Sequence, residues 1–396
     1  MLYLFPIGWQ KGAAMEPLRQ EAPEEPDESF WFRPPWEAEP ADDMPGLVPM
    51  LRPDGSAGQV AAAADTAALL LPLAQASAAL ARLDARLACA APDVAEGLRA
   101  RLALREAAGW LAHQHGTWVH PTDLGLREAG LTGSVTAAAM SGHLRRALPS
   151  TAAAIADAGV EVADDADVAQ ALQVGRWWRR LAEHHTWSPL ANADTLRTLL
   201  GQMDAREPEE ADMAAWLARP REGAATPALL RAGQSAMAWA ETDSGRGDRL
   251  STASIFLAAC LWRRHGTTPA VALPLWSAPP RRLDALALAS GSAWLAGFLA
   301  ALAEAADLAG RELIAIQEAG NRAAGLPGTA RSHLPMATSL ALRMPVLTAT
   351  TLSDRLRISH QAATGLLRRM AGAGVVTEVT GRSAWRAFAA GSVARR

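Results

Sequence analysis

Lysine, tyrosine and cysteine are almost missing from this 396-residue chain. Its single lysine, Lys11, stands against 37 arginines, and Tyr3 is its only tyrosine. The two cysteines, Cys89 and Cys260, are too few and too far apart in sequence for a disulfide framework. So little cysteine is typical of a reducing compartment, and we predict a cytoplasmic protein.

A strong charge imbalance is missing as well, because the net formal charge is −3 and 20% of the residues are charged. Half of the residues are hydrophobic, which is enough for a sizeable core and excludes wholly disordered and collagen-like chains. The 90 alanines favour helices and β-branched residues are scarce, so the composition predicts a mainly α protein.

The chain has no strong candidate for a membrane anchor. Residues 285–303 form an uncharged run of 19 residues, which is the length of a spanning helix. Eight of them are alanine, and Ser290, Gly291 and Ser292 dilute the run further. We therefore predict a buried core helix there, and no membrane partner.

Residues 1–60 are predicted to be a disordered, acidic and proline-rich tail. Between Glu16 and Gly46 there are 10 acidic and 2 basic residues, and such a segment cannot bury enough apolar surface to offset its ordering entropy. The residues after Met1 lack the basic cluster of a secretory signal. They hold the only lysine and the only tyrosine, so we expect translation to start at Met15.

Residues 61–330 are predicted to form a helical body. Apolar spacing predicts one helix after Asp93 and a second near residues 167–184. The almost wholly apolar residues 255–262 predict a central helix, with Asp248 or Ser251 as its cap. Two prolines and two glycines between residues 325 and 335 mark a domain boundary.

Residues 331–396 are predicted to form a winged helix-turn-helix domain with a small β wing. From residue 340 onward the chain has nine arginines against Asp354 and Glu378, a net charge of +7. One helix is predicted after Thr348 or Thr350 and a second after Ser359. Two short strands, at residues 375–379 and 385–388, follow them.

The second of these helices carries the candidate site. Ala363, Leu367 and Met370 form its apolar stripe, which leaves a polar face to read base edges in the major groove. Gln361 suits adenine and Arg368 suits guanine, whereas Arg382 and Arg386 of the wing suit phosphate. The full set of predicted DNA-binding residues is Ser359, His360, Gln361, Thr364, Arg368, Arg369, Arg382 and Arg386.

The segment Leu104–Ser134, LREAAGWLAHQHGTWVHPTDLGLREAGLTGS, together with the C-terminal domain, resembles an uncharacterised family of helix-turn-helix proteins. That family occurs in rhizobia and related alphaproteobacteria, often on plasmids. The resemblance covers the chain from about residue 60 onward. It implies a cytoplasmic DNA-binding protein and supplies no enzymatic activity.

A weaker similarity is to Fic-type adenylyltransferases, several of which carry a C-terminal winged helix with a Thr-Gly-Arg turn, as at residues 380–382. The stretch ETDSGRGDRLSTASIFLAACLWRRHG stands where that family has its catalytic loop and core helix. The catalytic His-Pro-Phe is absent, so no general base is left to accept a proton. Gly245, Arg246 and Gly247 remain as a possible anion-binding loop before a helix.

The sequence therefore predicts a non-enzymatic protein that binds double-stranded DNA as a homodimer, either a transcriptional regulator or a plasmid-maintenance factor. It predicts no catalytic residue, no metal and no cofactor. Two alternatives stay open: a Fic-like nucleotidyltransferase with an unusual active loop, and a non-catalytic protein-interaction scaffold.

Overall fold

Helices make up most of the chain, which confirms the mainly α prediction. The computed structural model describes residues 57–115, 119–130, 164–183, 187–203, 207–218, 226–265, 271–327, 332–380 and 386–391. The predicted tail of residues 1–60 lies outside these residues except for its last four positions, which belong to the first helix.

Thirteen α-helices and three short strands occur in the described ranges. The helices are α1 (Ala57–Ala88), α2 (Pro92–His115), α3 (Pro121–Glu128), α4 (Asp165–Glu183), α5 (Ala193–Met203), α6 (Glu210–Ala218), α7 (Ala228–Ala240), α8 (Thr252–His265), α9 (Pro280–Leu288), α10 (Gly291–Ala324), α11 (Leu334–Arg343), α12 (Ala349–Leu356) and α13 (His360–Gly372). The strands are β1 (Leu347–Thr348), β2 (Val376–Glu378) and β3 (Ala387–Ala390).

Helix α8 lies at the centre of the body, as its apolar sequence predicts. All residues from Thr252 to Trp262 are buried. Of the two predicted caps, Ser251 is the one that acts, since its Oγ accepts a hydrogen bond from the Ser254 amide at 3.1 Å. The Thr252 hydroxyl lies inside the core and accepts the indole N–H of Trp110 in α2 at 2.8 Å.

The uncharged run at residues 285–303 is not one helix. Helix α9 ends at Leu288 and α10 begins at Gly291, which has φ 56°. Among the described helices, α10 is the one that is long and apolar enough to cross a membrane. Its buried face, with Trp294, Phe298 and Leu302, belongs to the same hydrophobic core as α2 and α8.

Helix α4 buries both residues of its tryptophan pair, Trp177 and Trp178. Helical spacing alone predicts that only one of two consecutive residues faces inward. The Trp178 indole donates to the Leu273 carbonyl at 2.9 Å, which satisfies its polar group inside the core. Arg179 forms an ion pair with Glu183 along the helix, at 2.7 Å.

The C-terminal residues form helix α11, strand β1, helices α12 and α13, and then strands β2 and β3. The sheet order is β1-β3-β2, and both pairings are antiparallel. The sequence predicts two strands there and misses β1, which pairs Leu347 with Phe388. A strand of two residues is too short to produce a period-2 pattern.

These C-terminal elements and the helical body belong to one compact unit, Ala57–Arg396. Helix α11 packs on α2, and at this contact Gly97 allows a close approach of the two backbones. A Cβ atom at Gly97 would lie 1.9 Å from the Leu342 carbonyl oxygen. Any larger residue at position 97 would therefore push the two helices apart.

Candidate nucleic-acid interface

Helix α12 begins after one of its two predicted caps. The side chain of Thr348 caps it by accepting the Thr351 amide at 3.1 Å, and Leu352 is fully buried. Arg357 ends the helix in the left-handed conformation, with φ 53° and ψ 46°. This conformation is usual for glycine and strained for arginine, so the turn before α13 holds a cationic side chain at a local cost.

Helix α13 begins at a second predicted cap. Ser359 is extended, and its Oγ accepts the Ala362 amide at 3.2 Å. Ala363, Leu367 and Met370 are buried against the rest of the unit, which confirms the predicted apolar stripe.

The opposite face of α13 is open. Ser359, His360, Gln361 and Arg368 are exposed, whereas Thr364 is half-buried and its hydroxyl donates to the His360 carbonyl at 2.9 Å. Residues three and four apart share a helix face. Gln361, Thr364 and Arg368 therefore form one polar row on this face.

The arginines of this region fall into two groups. Arg355, Arg357 and Arg368 are exposed, and their side chains make no hydrogen bond or ion pair with other described residues. Arg369 and Arg386 interact with other residues of the protein. Arg369 donates to the Pro327 carbonyl, and the Arg386 Nε lies 3.7 Å from a carboxylate oxygen of Glu378.

The hairpin of β2 and β3 brings the predicted wing next to this helical pair. It is closed by the Val379 amide, which donates to the Ala387 carbonyl at 2.8 Å. The Ala387 amide in turn donates to the Thr380 hydroxyl at 3.2 Å. Arg382, predicted to contact phosphate, lies outside the described residues.

The C-terminal sheet is fixed to the body by a buried guanidinium. Arg101 of α2 donates to the carbonyls of Leu342 and Met344, at 3.0 and 3.2 Å, and to that of Ala390 at 3.2 Å. Burial lowers the pKa of Arg101 to about 10, so it stays charged at neutral pH. A second bond joins Arg322 of α10 to the Gly374 carbonyl, at 2.8 Å.

The Gly245–Gly247 loop offers little to an anion. The amides of Gly245 and Arg246 both donate to the Thr242 carbonyl, at 3.1 and 3.2 Å, and the Gly247 amide donates to the Ala240 carbonyl at 2.7 Å. The anion-binding prediction requires backbone N–H groups that can donate to an anion. In this loop all three N–H groups already donate to backbone carbonyls. The nucleotidyltransferase alternative gains no support from this geometry.

Burial shifts the pKa of several titratable groups in the body, among them Glu106, Asp123 and His120. Burial raises the pKa of Glu106 to about 8, although three donors on Trp276 and Ser277 favour its charged form. Burial also raises the pKa of Asp123 to about 7 and lowers that of His120 to about 4. The described residues contain no cluster of three or more His, Cys, Asp or Glu that could hold a metal ion.

Sequence reasoning missed Gly365 on the open face of α13, and it missed Arg355 and Arg357, which precede that helix. Arg355 and Arg357 belong to the basic surplus that the sequence does reveal. Gly365 is recognisable as a glycine within a helical pattern, which is a poor helix former without an evident packing role. No family model matches the chain, and a search of curated proteins finds no significant relative.

Proposed function

We propose that this protein binds double-stranded DNA, with α13 in the major groove and the β2–β3 hairpin beside it as a wing. The observation that carries the proposal is the open polar face of α13, flanked by arginines whose side chains bond to no other residue in the described part of the chain. The succession of α12, α13 and the β2–β3 hairpin is the one expected of a winged helix-turn-helix, and it supports the proposal.

We assign the side chains three roles. Gln361 and Arg368 lie on the first three turns of α13, where a recognition helix reads base edges, with adenine and guanine as their natural partners. Arg355 and Arg357 lie before that helix and suit phosphate contacts, which fix orientation without reading sequence. Arg369 and Arg386 already have partners within the protein, so we assign them a positioning role.

The activity we infer is that of a non-enzymatic regulator or plasmid-maintenance factor in the cytoplasm. One module of this size covers a small interface, and two copies on a palindromic site would add their binding energies. A homodimer is therefore part of the proposal. Sedimentation of the protein with a palindromic duplex tests it, and one copy per duplex would contradict it.

The proposal is tested by fluorescence anisotropy with a labelled duplex library, from which preferred sites are first selected. The dissociation constant for a selected site should rise steeply with salt, because phosphate contacts release counterions. Arg368→Ala should lower affinity for the selected site by about 1–3 kcal/mol and relax its base preference.

Arg281→Ala is the matched control. Arg281 of α9 is equally exposed and its removal changes the net charge identically, but it lies outside the C-terminal elements. Equal effects of the two substitutions would contradict base reading by Arg368. No salt-sensitive binding at all would favour the interaction-scaffold alternative.

A further inference from the structure

Gly365 lies in the middle of α13, on its exposed side. A Cβ atom built there would meet no heavy atom of the described residues within 4 Å. Its φ is not positive, so the backbone would accept any L-residue. Neither packing nor backbone conformation requires glycine at this position.

Two glycines of the helical body show what a structural requirement looks like. A Cβ at Gly109 would lie 1.7 Å from the Trp276 carbonyl oxygen, and one at Gly245 would lie 2.0 Å from that of Trp239. In those places, two backbones meet too closely for any side chain. Gly365 has no such neighbour, although glycine in a helix interior costs about 1 kcal/mol relative to alanine.

Helical spacing puts Gly365 at the centre of the proposed reading face. It follows Gln361 by four residues and precedes Arg368 by three, so it lies between the two side chains assigned to base edges. A residue without a Cβ lets the helix backbone approach a ligand closely. The missing side chain thus lies on the side of α13 that would face DNA.

We propose that Gly365 is the point of closest approach between α13 and the base pairs, and that it sets how deeply the helix enters the major groove. This inference rests on the proposed DNA-binding function and deepens it. A side chain at position 365 would hold the helix away from the groove floor, and Gln361 and Arg368 would then lose their hydrogen-bonding distance to base edges. Gly365 is a positioning residue, because it acts through its two neighbours.

The test compares Gly365→Ala with wild-type protein in thermal unfolding and in binding to two duplexes, a selected site and a scrambled one. The unfolding temperature should rise by about 2 °C, because alanine is the better helix former. Affinity for the selected site should fall about tenfold, which corresponds to 1.4 kcal/mol, the scale of one mismatched base pair. Affinity for the scrambled duplex should stay unchanged, since phosphate contacts do not require deep insertion.

Gly372→Ala is the control, because Gly372 ends the same helix, is exposed, and has equally open space around its Cβ position. It lies about 10 Å further along the axis, two turns beyond Gly365, and its replacement should leave both affinities unchanged. Gly365→Leu should lower affinity for the selected site further than Gly365→Ala.

The outcomes separate the two proposals. If wild-type protein shows no salt-dependent binding to either duplex, the DNA-binding function fails. If wild-type protein prefers the selected site and Gly365→Ala retains that preference in full, the function stands and the role of Gly365 is overturned. A lower unfolding temperature for Gly365→Ala would also overturn it, because the fold itself would then need the glycine.

Discussion

Arg101 and Ala390 are 289 positions apart in sequence, yet the Arg101 guanidinium donates to the Ala390 carbonyl at a distance of 3.2 Å. This bond joins the second helix of the body to the last described strand. The same side chain bonds the Leu342 and Met344 carbonyls, so one cation joins the end of α11 to the end of β3. The C-terminal elements are thus held to the body by specific polar contacts.

Arg101→Lys should weaken the attachment of the C-terminal elements to the body. A lysine retains the charge, but its single ammonium group cannot reach carbonyls that the planar guanidinium spans. We expect the free energy of unfolding to fall by about 3 kcal/mol, because buried carbonyls lose charge-assisted hydrogen bonds. Hydrogen exchange should accelerate most at residues 387–390, and unchanged protection there would contradict the role of Arg101.

Arg357→Gly should stabilise the fold and weaken DNA binding. Glycine adopts the left-handed conformation without the Cβ clash, which is worth about 1 kcal/mol at such a position. Chemical denaturation measures the gain. The slope of log affinity against log salt should become shallower by about one unit if Arg357 contacts a phosphate. An unchanged slope would show that Arg357 does not contact a phosphate.

Asp123→Asn should remove one loss of stability that accompanies rising pH. The folded-state pKa of Asp123 is raised from its ordinary value of 3.8 to about 7 by burial, so the folded protein holds a proton that the unfolded chain releases. Stability is therefore lost as the pH rises from 3.8 through 7. Relative to wild type, the free energy of unfolding of the variant should increase little at pH 4 and most above pH 7, as measured by urea denaturation.

His120 acts in the opposite direction and serves as the internal control. Its pKa is lowered from 6.5 to about 4, so the unfolded chain binds the extra proton and stability rises with pH over that range. This rise should remain in Asp123→Asn. A uniform gain across the whole pH range would show that removing the Asp123 charge is not the cause.

Glu106→Ala should destabilise the body strongly. The carboxylate accepts the amides of Trp276 and Ser277 at 3.0 and 2.9 Å, and alanine would leave both donors buried without partners. We expect a loss of about 3 kcal/mol in the free energy of unfolding. Glu106→Gln keeps an acceptor oxygen and should lose less, whereas equal losses would point to side-chain volume alone.

The features that could be predicted from the sequence are those fixed by neighbouring residues. Thr348 and Ser359 cap helices through bonds to amides three residues ahead, and Ala363, Leu367 and Met370 follow helical spacing. These short-range patterns were sufficient to place α12 and α13 and to choose the exposed side of α13.

The remaining features depend on contacts that no local pattern contains. Nothing in the sequence around Arg101 indicates partners more than 200 positions away, and an arginine in a helix is more often at the surface. The hydrogen bonds that occupy the Gly245–Gly247 loop depend on backbone torsion angles, including φ 52° at Arg246. Strand β1 was missed because its pairing with β3 is defined across some forty residues.

The close contact of Gly97 with Leu342 bears on the proposed homodimer. If two copies bind one duplex, the tight packing of α11 on α2 ties each C-terminal region to its own body, so the separation of the two α13 helices depends on how the bodies associate. Each base pair inserted between half-sites rotates one of them by about 35° around the duplex axis. Such a dimer would bind two half-sites tightly at one spacing and would bind less tightly when a base pair is added or removed between them.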